Sequence, residues 1–314
     1  MTASTPPAPA FPPLALSVLL VVGGCHGQSS PNAAPRAQEP PSAVTQTLDI
    51  ERHFHGDALA LANAAARGDA VEVARLVRER HADPDAISNG GLPLIAWPIL
   101  QGNAAGVRAL FDNGADANLA VPGAGTVMVW AANAKDPAIL AAFLDHRGDA
   151  DARNRDGEPL LKLAALANAW DNVRLLVERG ADVDAHSPGQ PGDTVLGYYS
   201  AGQFNKAQWL LEHGADPGYR IATAPSPERV GAQPIVENIY WWPVNAGRFP
   251  QLAHAQQRCQ TLIAERGFTM PKEPAHLQRL RASQTGAAGD GAAAAEPFDA
   301  RPREAALKDR LDSR

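Results

Sequence analysis

Two histidines lie two residues apart in His53-Phe54-His55, a spacing that places both imidazoles on one side of a strand, where a metal could use them. No further ligand follows at a recognisable metal-site spacing, so the pair reads as structural and no metal or cofactor is expected. The carboxylates Asp83, Asp85, Asp116, Asp151, Asp182, Asp184 and Asp216 are plentiful, but they recur at turn positions. There an aspartate accepts hydrogen bonds from nearby amides, so these residues read as turn caps rather than acid–base pairs. The chain contains no Gly-x-Ser-x-Gly elbow, phosphate loop or His-Glu-x-x-His helix. His254, Glu237 and Cys259 are the remaining side chains from which an enzyme could be built near the C-terminal end. The balance of these observations points away from catalysis.

The elements that must position these side chains announce themselves by repetition. Val173 to Asp184 is an apolar helix end, a glycine stop and an aspartate-led turn. The same three positions fall at His81-Ala82-Asp83, Gly114-Ala115-Asp116, Gly148-Asp149-Ala150, Gly180-Ala181-Asp182 and Gly214-Ala215-Asp216, separated by 33, 34, 32 and 34 residues. A period near this length is the sign of a helical solenoid. Glycine after a helix takes the left-handed conformation at no steric cost, and His81 replaces it once. Aliphatics at helical spacing precede the stops, as in Val73, Leu76 and Val77 or Val173, Leu176 and Val177. A unit of this size cannot bury its own apolar face, so neighbours must stack.

The chain resembles an ankyrin-repeat protein over residues 57 to about 218. Ala62-Asn63-Ala64-Ala65-Ala66-Arg67-Gly68-Asp69 is similar to the family's first-helix ending. Its Thr-Pro-Leu-His helix start survives in part as Leu92-Pro93-Leu94-Ile95 and Glu158-Pro159-Leu160-Leu161. It decays to Thr126-Val127-Met128-Val129 and Thr194-Val195-Leu196-Gly197, and the histidine is missing from every copy. The resemblance implies an all-α solenoid of five to six helix-turn-helix units joined by hairpin-like loops. First helices are expected to begin near residues 59, 92, 126, 158 and 194, with the repeats spanning 51–218. A modified unit over 219–282, with Pro234 to Trp242 and Ala255 to Met270 as its helices, would cap the array.

Ankyrin arrays bind proteins through hairpin tips and the concave surface of the first helices. The resemblance therefore nominates Trp97, Trp130, Tyr198, Tyr199, Trp241 and Trp242 on that surface, since aromatics concentrate binding energy at interfaces. Packing between stacked helices is the competing role for the same side chains. At the finger after the third unit, Arg153, Asn154, Arg155 and Asp156 are the polar candidates, ahead of His186 and Gln190.

Composition and the N-terminal region add a location. Of 314 residues, 45% are apolar and 20% charged, which suits a folded chain, and the net charge of −6 argues against a nucleic-acid partner. Leu14 to Val22 is apolar but for Ser17, too short to cross a bilayer and of signal-peptide length, although Met1 to Pro13 lacks Lys and Arg. It ends in Val22-Gly23-Gly24-Cys25, which resembles a bacterial lipobox with Cys25 as the lipidated residue. The expected layout is a signal over 1–25, a Pro-, Ser- and Gln-rich tether over 26–50 and a disordered tail over 283–314. His26, rather than aspartate, after the cysteine points to the outer membrane facing the periplasm; a soluble periplasmic protein is the alternative. With Cys25 lipidated, Cys259 has no disulfide partner and reads as a buried thiol. The expectation is a monomeric, non-enzymatic protein-binding module on the envelope, with an immunity or inhibitor role against a secreted toxic effector as its sharpest form. A general envelope-protective protein is one alternative, and a cytoplasmic adaptor is another if the apolar run is not a signal.

Overall fold

The computed structural model describes residues 49–224 and 227–286, so the expected signal with Cys25, nearly all of the tether and residues 287–314 lie outside the described residues. The first described residue, Asp49, caps a single 3-10 turn with its carboxylate, and Ile50 is buried. Five helix pairs follow: α1 (Gly56–Arg67) and α2 (Ala70–Arg80), α3 (Ala96–Leu100) and α4 (Ala104–Asp112), α5 (Met128–Ala132) and α6 (Pro137–Asp145), α7 (Leu160–Leu166) and α8 (Trp170–Glu178), α9 (Val195–Tyr199) and α10 (Phe204–Glu212). A sixth pair, α11 (Pro234–Trp241) and α12 (Pro250–Glu265), closes the array, and α13 (Ala275–Gly286) runs past the expected start of the tail at 283.

Short polar side chains fix the starts of the first three second helices. Asp69, Asn103 and Asp136 each accept a hydrogen bond from an amide in the first turn of α2, α4 and α6, which satisfies a donor the helix cannot. The first helices are shorter than the sequence pattern implies: α3, α5 and α7 begin at 96, 128 and 160 rather than 92, 126 and 158. The residues just before them are used in hairpins instead. Ile87 pairs with Pro93, Arg153 with Pro159, and β1 (Ala120–Val121) lies antiparallel to β2 (Gly125–Thr126). The hairpin-like loops are thus small β-fingers whose returning arm delivers the chain to the helix.

The first helices pack in a row, α1 on α3, α3 on α5, α5 on α7, α7 on α9 and α9 on α11. The second helices α2, α4, α6 and α8 form another row, and α10 packs closely on α12. One continuous apolar core runs between the rows from Ile50 to Ile263. No single unit could enclose it, as the stacking argument requires.

The turns correct the sequence register at one place. Left-handed backbone falls at His81, Gly114, Arg147, Gly180 and Gly214, so the steps are 33, 33, 33 and 34. The third stop is Arg147, not Gly148. Gly148 occupies the small-residue slot that Ala82, Ala115, Ala181 and Ala215 fill elsewhere. A Cβ there would lie 2.6 Å from Met128 Sδ and 2.8 Å from the Phe143 carbonyl oxygen, so the glycine answers a close approach rather than a turn.

The aspartates form a ladder along the stack. The first in each turn (Asp83, Asp116, Asp149, Asp182, Asp216) accepts from the amide two residues on, at 2.7 to 3.0 Å. The residue at that second position reaches onward to the next unit. Asp85 accepts from the amide of Asp116 at 2.9 Å, Asn118 from Asp149 at 2.7 Å, Asp151 from Asp182 at 2.7 Å, and Asp184 from Asp216 at 2.9 Å. The turn-cap reading therefore describes half of the scheme, and the other half stitches unit to unit.

Candidate functional site

A fully buried aliphatic stands at or just before the start of each middle first helix: Leu94, Val127, Leu160 and Val195. One turn further on, at the position facing the same side, stand Trp97, Trp130, Leu163 and Tyr198. All four are half-buried, packed against the core from one side and open on the other. Another turn along, Leu100 and Leu166 are each 52% exposed. The first-helix row therefore carries an apolar ridge with an exposed margin. Leu163, Leu100 and Leu166 are members that aromatic counting alone misses, and the repeat register identifies them.

Tyr199, expected on the same surface, is instead 1% exposed. One residue along a helix turns the side chain by about 100°, and this carries Tyr199 into the interior between α8 and α10. Its ring meets Trp170 edge-on at 5.3 Å, and Lys206 Nζ lies 4.7 Å from its centroid. Burial pushes its phenol pKa upward. Trp170 also meets Trp209 edge-on at 5.6 Å, and Trp209 stacks on His213 at 3.6 Å. This second-row cluster was not expected. Its signal is the tryptophan opening α8 where α2, α4 and α6 open on Ala70, Ala104 and Pro137.

The finger residues divide by duty. Arg153 Nη1 donates to the carbonyls of Gly157 at 2.8 Å and His186 at 2.9 Å, which ties one finger to the next. Asn154 Oδ1 accepts from the amides of Asp156 and Glu158 and so holds the turn. The polar groups of both are engaged within the chain. Arg155 and Asp156 form a loose ion pair at 3.5 Å with side chains 64% and 68% exposed, and they are the tip that faces outward. Beneath the fingers, Lys162 Nζ donates to Asp193 at 2.6 Å, Ser187 at 2.8 Å and Glu158 at 2.9 Å. Burial alone would lower the Lys162 pKa, but hydrogen bonds and charge from Asp193 and Glu158 outweigh it and raise the net value. The lysine locks the third and fourth fingers together.

At the C-terminal end, Trp241 and Trp242 are both half-buried. Trp241 Nε1 donates to the Pro271 carbonyl at 2.8 Å, and Trp242 packs against the core. The Cys259 thiol is fully buried, donates to the Phe204 carbonyl at 3.5 Å, and is pushed up to about 12 by burial and by the charge of Glu212. Glu237 is 6% exposed and held by Arg229 at 2.8 Å. These bonds explain both groups without chemistry. His53 and His55 lie in the link between the 3-10 turn and α1 rather than on a strand, with Phe54 buried between them. They border a cleft of about 270 Å³ together with Ser88 and Asn89 of the first finger. No group of three His, Cys, Asp or Glu side chains is disposed to hold a metal among the described residues.

Residues 127–221 match the family model described as ankyrin repeats, in three copies. Among solved structures, the ankyrin repeat domain of Bcl-3, described as a unique member of the IkappaB protein family, is similar at 24% identity. The match covers 64% of this chain and 85% of that chain, with a TM-score of 0.50. It is one of 425 solved chains that match, so the likeness speaks for the fold and not for one partner. No curated protein matches the chain.

Proposed function

The chain carries ankyrin repeats, and we propose that it is a non-enzymatic protein-binding module whose first-helix ridge and finger tips engage a partner protein. The observation that carries this reading is the alignment of Trp97, Trp130, Leu163 and Tyr198 in equivalent places, half-buried, beside the exposed Leu100 and Leu166. A row of large apolar side chains held by the core loses little freedom on binding, so most of the contact energy is kept. Arg155 and Asp156 add a charged rim at a finger tip, where complementarity sets partner choice more than affinity.

In this reading the module is monomeric and tethered to the outer membrane through lipid on Cys25, facing the periplasm. The lipobox-like Val22-Gly23-Gly24-Cys25 after the apolar run supports the anchor. The partner is a secreted toxic effector, which the array neutralises by covering its active site. The test is cross-linked capture from native envelopes with wild-type protein and a Trp130→Ala/Tyr198→Ala variant of unchanged circular dichroism. One stoichiometric partner lost in the variant supports the reading; equal capture by both sinks it. Cys25→Ser is expected to move the protein out of the membrane fraction, and unchanged fractionation rules out the anchor. Loss of the gene is expected to sensitise cells to that effector alone, whereas a broad envelope defect speaks against the immunity role.

A further inference from the structure

Trp241 ends α11, the last member of the first-helix row, and the chain itself covers it. The indole N–H donates to the Pro271 carbonyl at 2.8 Å, and the Arg281 guanidinium lies over the ring at 5.4 Å. Arg281 is steadied in turn by Glu273 at 2.7 Å. Between these two holds, Leu277 is 1% exposed and Pro274 is buried, while Ala275, His276, Gln278 and Arg279 face outward. Leu277 and Arg281 are four apart and so share one face of α13.

Two features set this contact apart from the repeats. Neither Leu277 nor Trp241 belongs to the continuous apolar core, which ends at Ile263 of α12. In addition, α12 is anchored by Ala255, Cys259 and Ile263 in that core, whereas among the described side chains of α13 Leu277 alone is fully buried. A segment docked through a satellite contact outside the main core belongs to the low-stability end of a structure and can open without global unfolding.

We propose that residues 270–286 form a detachable strap that closes the last position of the first-helix row, and that the surface beneath fits a partner helix bearing leucine and arginine four residues apart. The strap is the surface's own ligand: the leucine buries, and the guanidinium stacks over the Trp241 ring as cation–π pairing favours. A partner helix with the same pair competes with the strap for this place. The proposal rests on the reading of the first-helix row as a partner surface, but its test uses a probe taken from this chain and needs no natural partner.

The test uses the full chain with Leu277→Asp, and Arg281→Ala as a milder second variant. The probe is a labelled synthetic peptide of residues 270–286, followed by fluorescence anisotropy, alongside hydrogen exchange of the protein. In the variants, exchange over 275–286 is expected to rise about tenfold or more while α1 to α12 keep their protection. The peptide is expected to bind the variants at least about tenfold more tightly than wild type, because the intact strap leaves only a fraction of molecules open. A peptide with both Leu277 and Arg281 replaced by alanine is expected not to bind. Exchange that spreads into α11 and α12 would make the segment a structural cap and overturn the proposal. So would a released strap with no peptide binding. Either failure leaves the reading of the ridge at Trp97 to Tyr198 standing, since its test depends on other residues.

Discussion

Arg147 holds a left-handed backbone, with φ of 66°, at a turn where three of the other four units place glycine. That conformation costs a side-chain-bearing residue about 1–2 kcal/mol, partly offset by the entropy glycine loses on folding. Arg147→Gly is therefore expected to stabilise the protein by roughly 0.5–1 kcal/mol, read as a higher melting temperature. Gly148→Ala is expected to cost about 2 kcal/mol, because the new methyl group meets Met128 and the Phe143 backbone. The pair of variants also shows where the sequence misleads. Glycine has two uses, positive φ and close approach, and one-dimensional spacing does not separate them. Arg147 and Gly148 exchange those uses within one dipeptide. The ladder carboxylates give a second test at this scale. Burial raises the pKa of Asp85 and Asp184 above the ordinary 3.8, against the lowering effect of the Asp116 and Asp216 amides. A raised native pKa means their contribution to stability is fully present below pH 3.8 and is lost as pH rises through the native value. Asp85→Asn/Asp184→Asn is therefore expected to match wild type in acid and to equal or exceed it at neutral pH. Asn118 already fills the equivalent rung without charge. Urea midpoints measured across that range check this, and a large neutral-pH loss would contradict it.

At the scale of elements, Tyr198 and Tyr199 make the same point about faces. The repeat places both on a first helix, but the direction of each depends on where α9 starts, and the hairpin arms delay the first helices α3, α5 and α7 beyond the pattern read from the sequence. Tyr199→Ala is expected to destabilise the array by about 3 kcal/mol as it empties the space against Trp170, whereas Tyr198→Ala, at a half-buried position, lowers the melting temperature less and chiefly affects binding. The joint between α5 and α8 is a further element-level test. Asn172 is 1% exposed, and its Nδ2 donates to the carbonyls of Ala132 at 2.9 Å and Ala134 at 2.8 Å. Asn172→Ala leaves both carbonyls without that donor and is expected to cost about 2–3 kcal/mol. The stacking of units and the finger-and-helix plan were legible in the period and the turn residues. The inter-unit bonds of Asn172, Arg153 and Lys162 were not, because their partners lie 25 to 40 residues away in sequence.

For the molecule as a whole, Cys259 offers a probe of cooperativity. With its thiol buried and its pKa near 12, it is expected to react with iodoacetamide at a rate set by opening of the array. In a Cys25→Ser background, its labelling is expected to follow global unfolding in urea; labelling well before that transition would show that the α10–α12 end opens by itself. The ladder described above has a further consequence. Its rungs are all alike: an amide from one turn meets an acceptor from the turn before it. Gly218 stands where Asp85, Asn118, Asp151 and Asp184 stand in earlier units, and it has no side chain to offer. A gene duplication that copied one whole unit between Asp83 and Asp184 would find a matching donor and acceptor at both junctions. A copy appended after Gly218 would bring its own donor amide but meet no acceptor. The array can thus change length in its middle across generations, while a single missing side chain marks where the ladder, though not the stack of helices, stops.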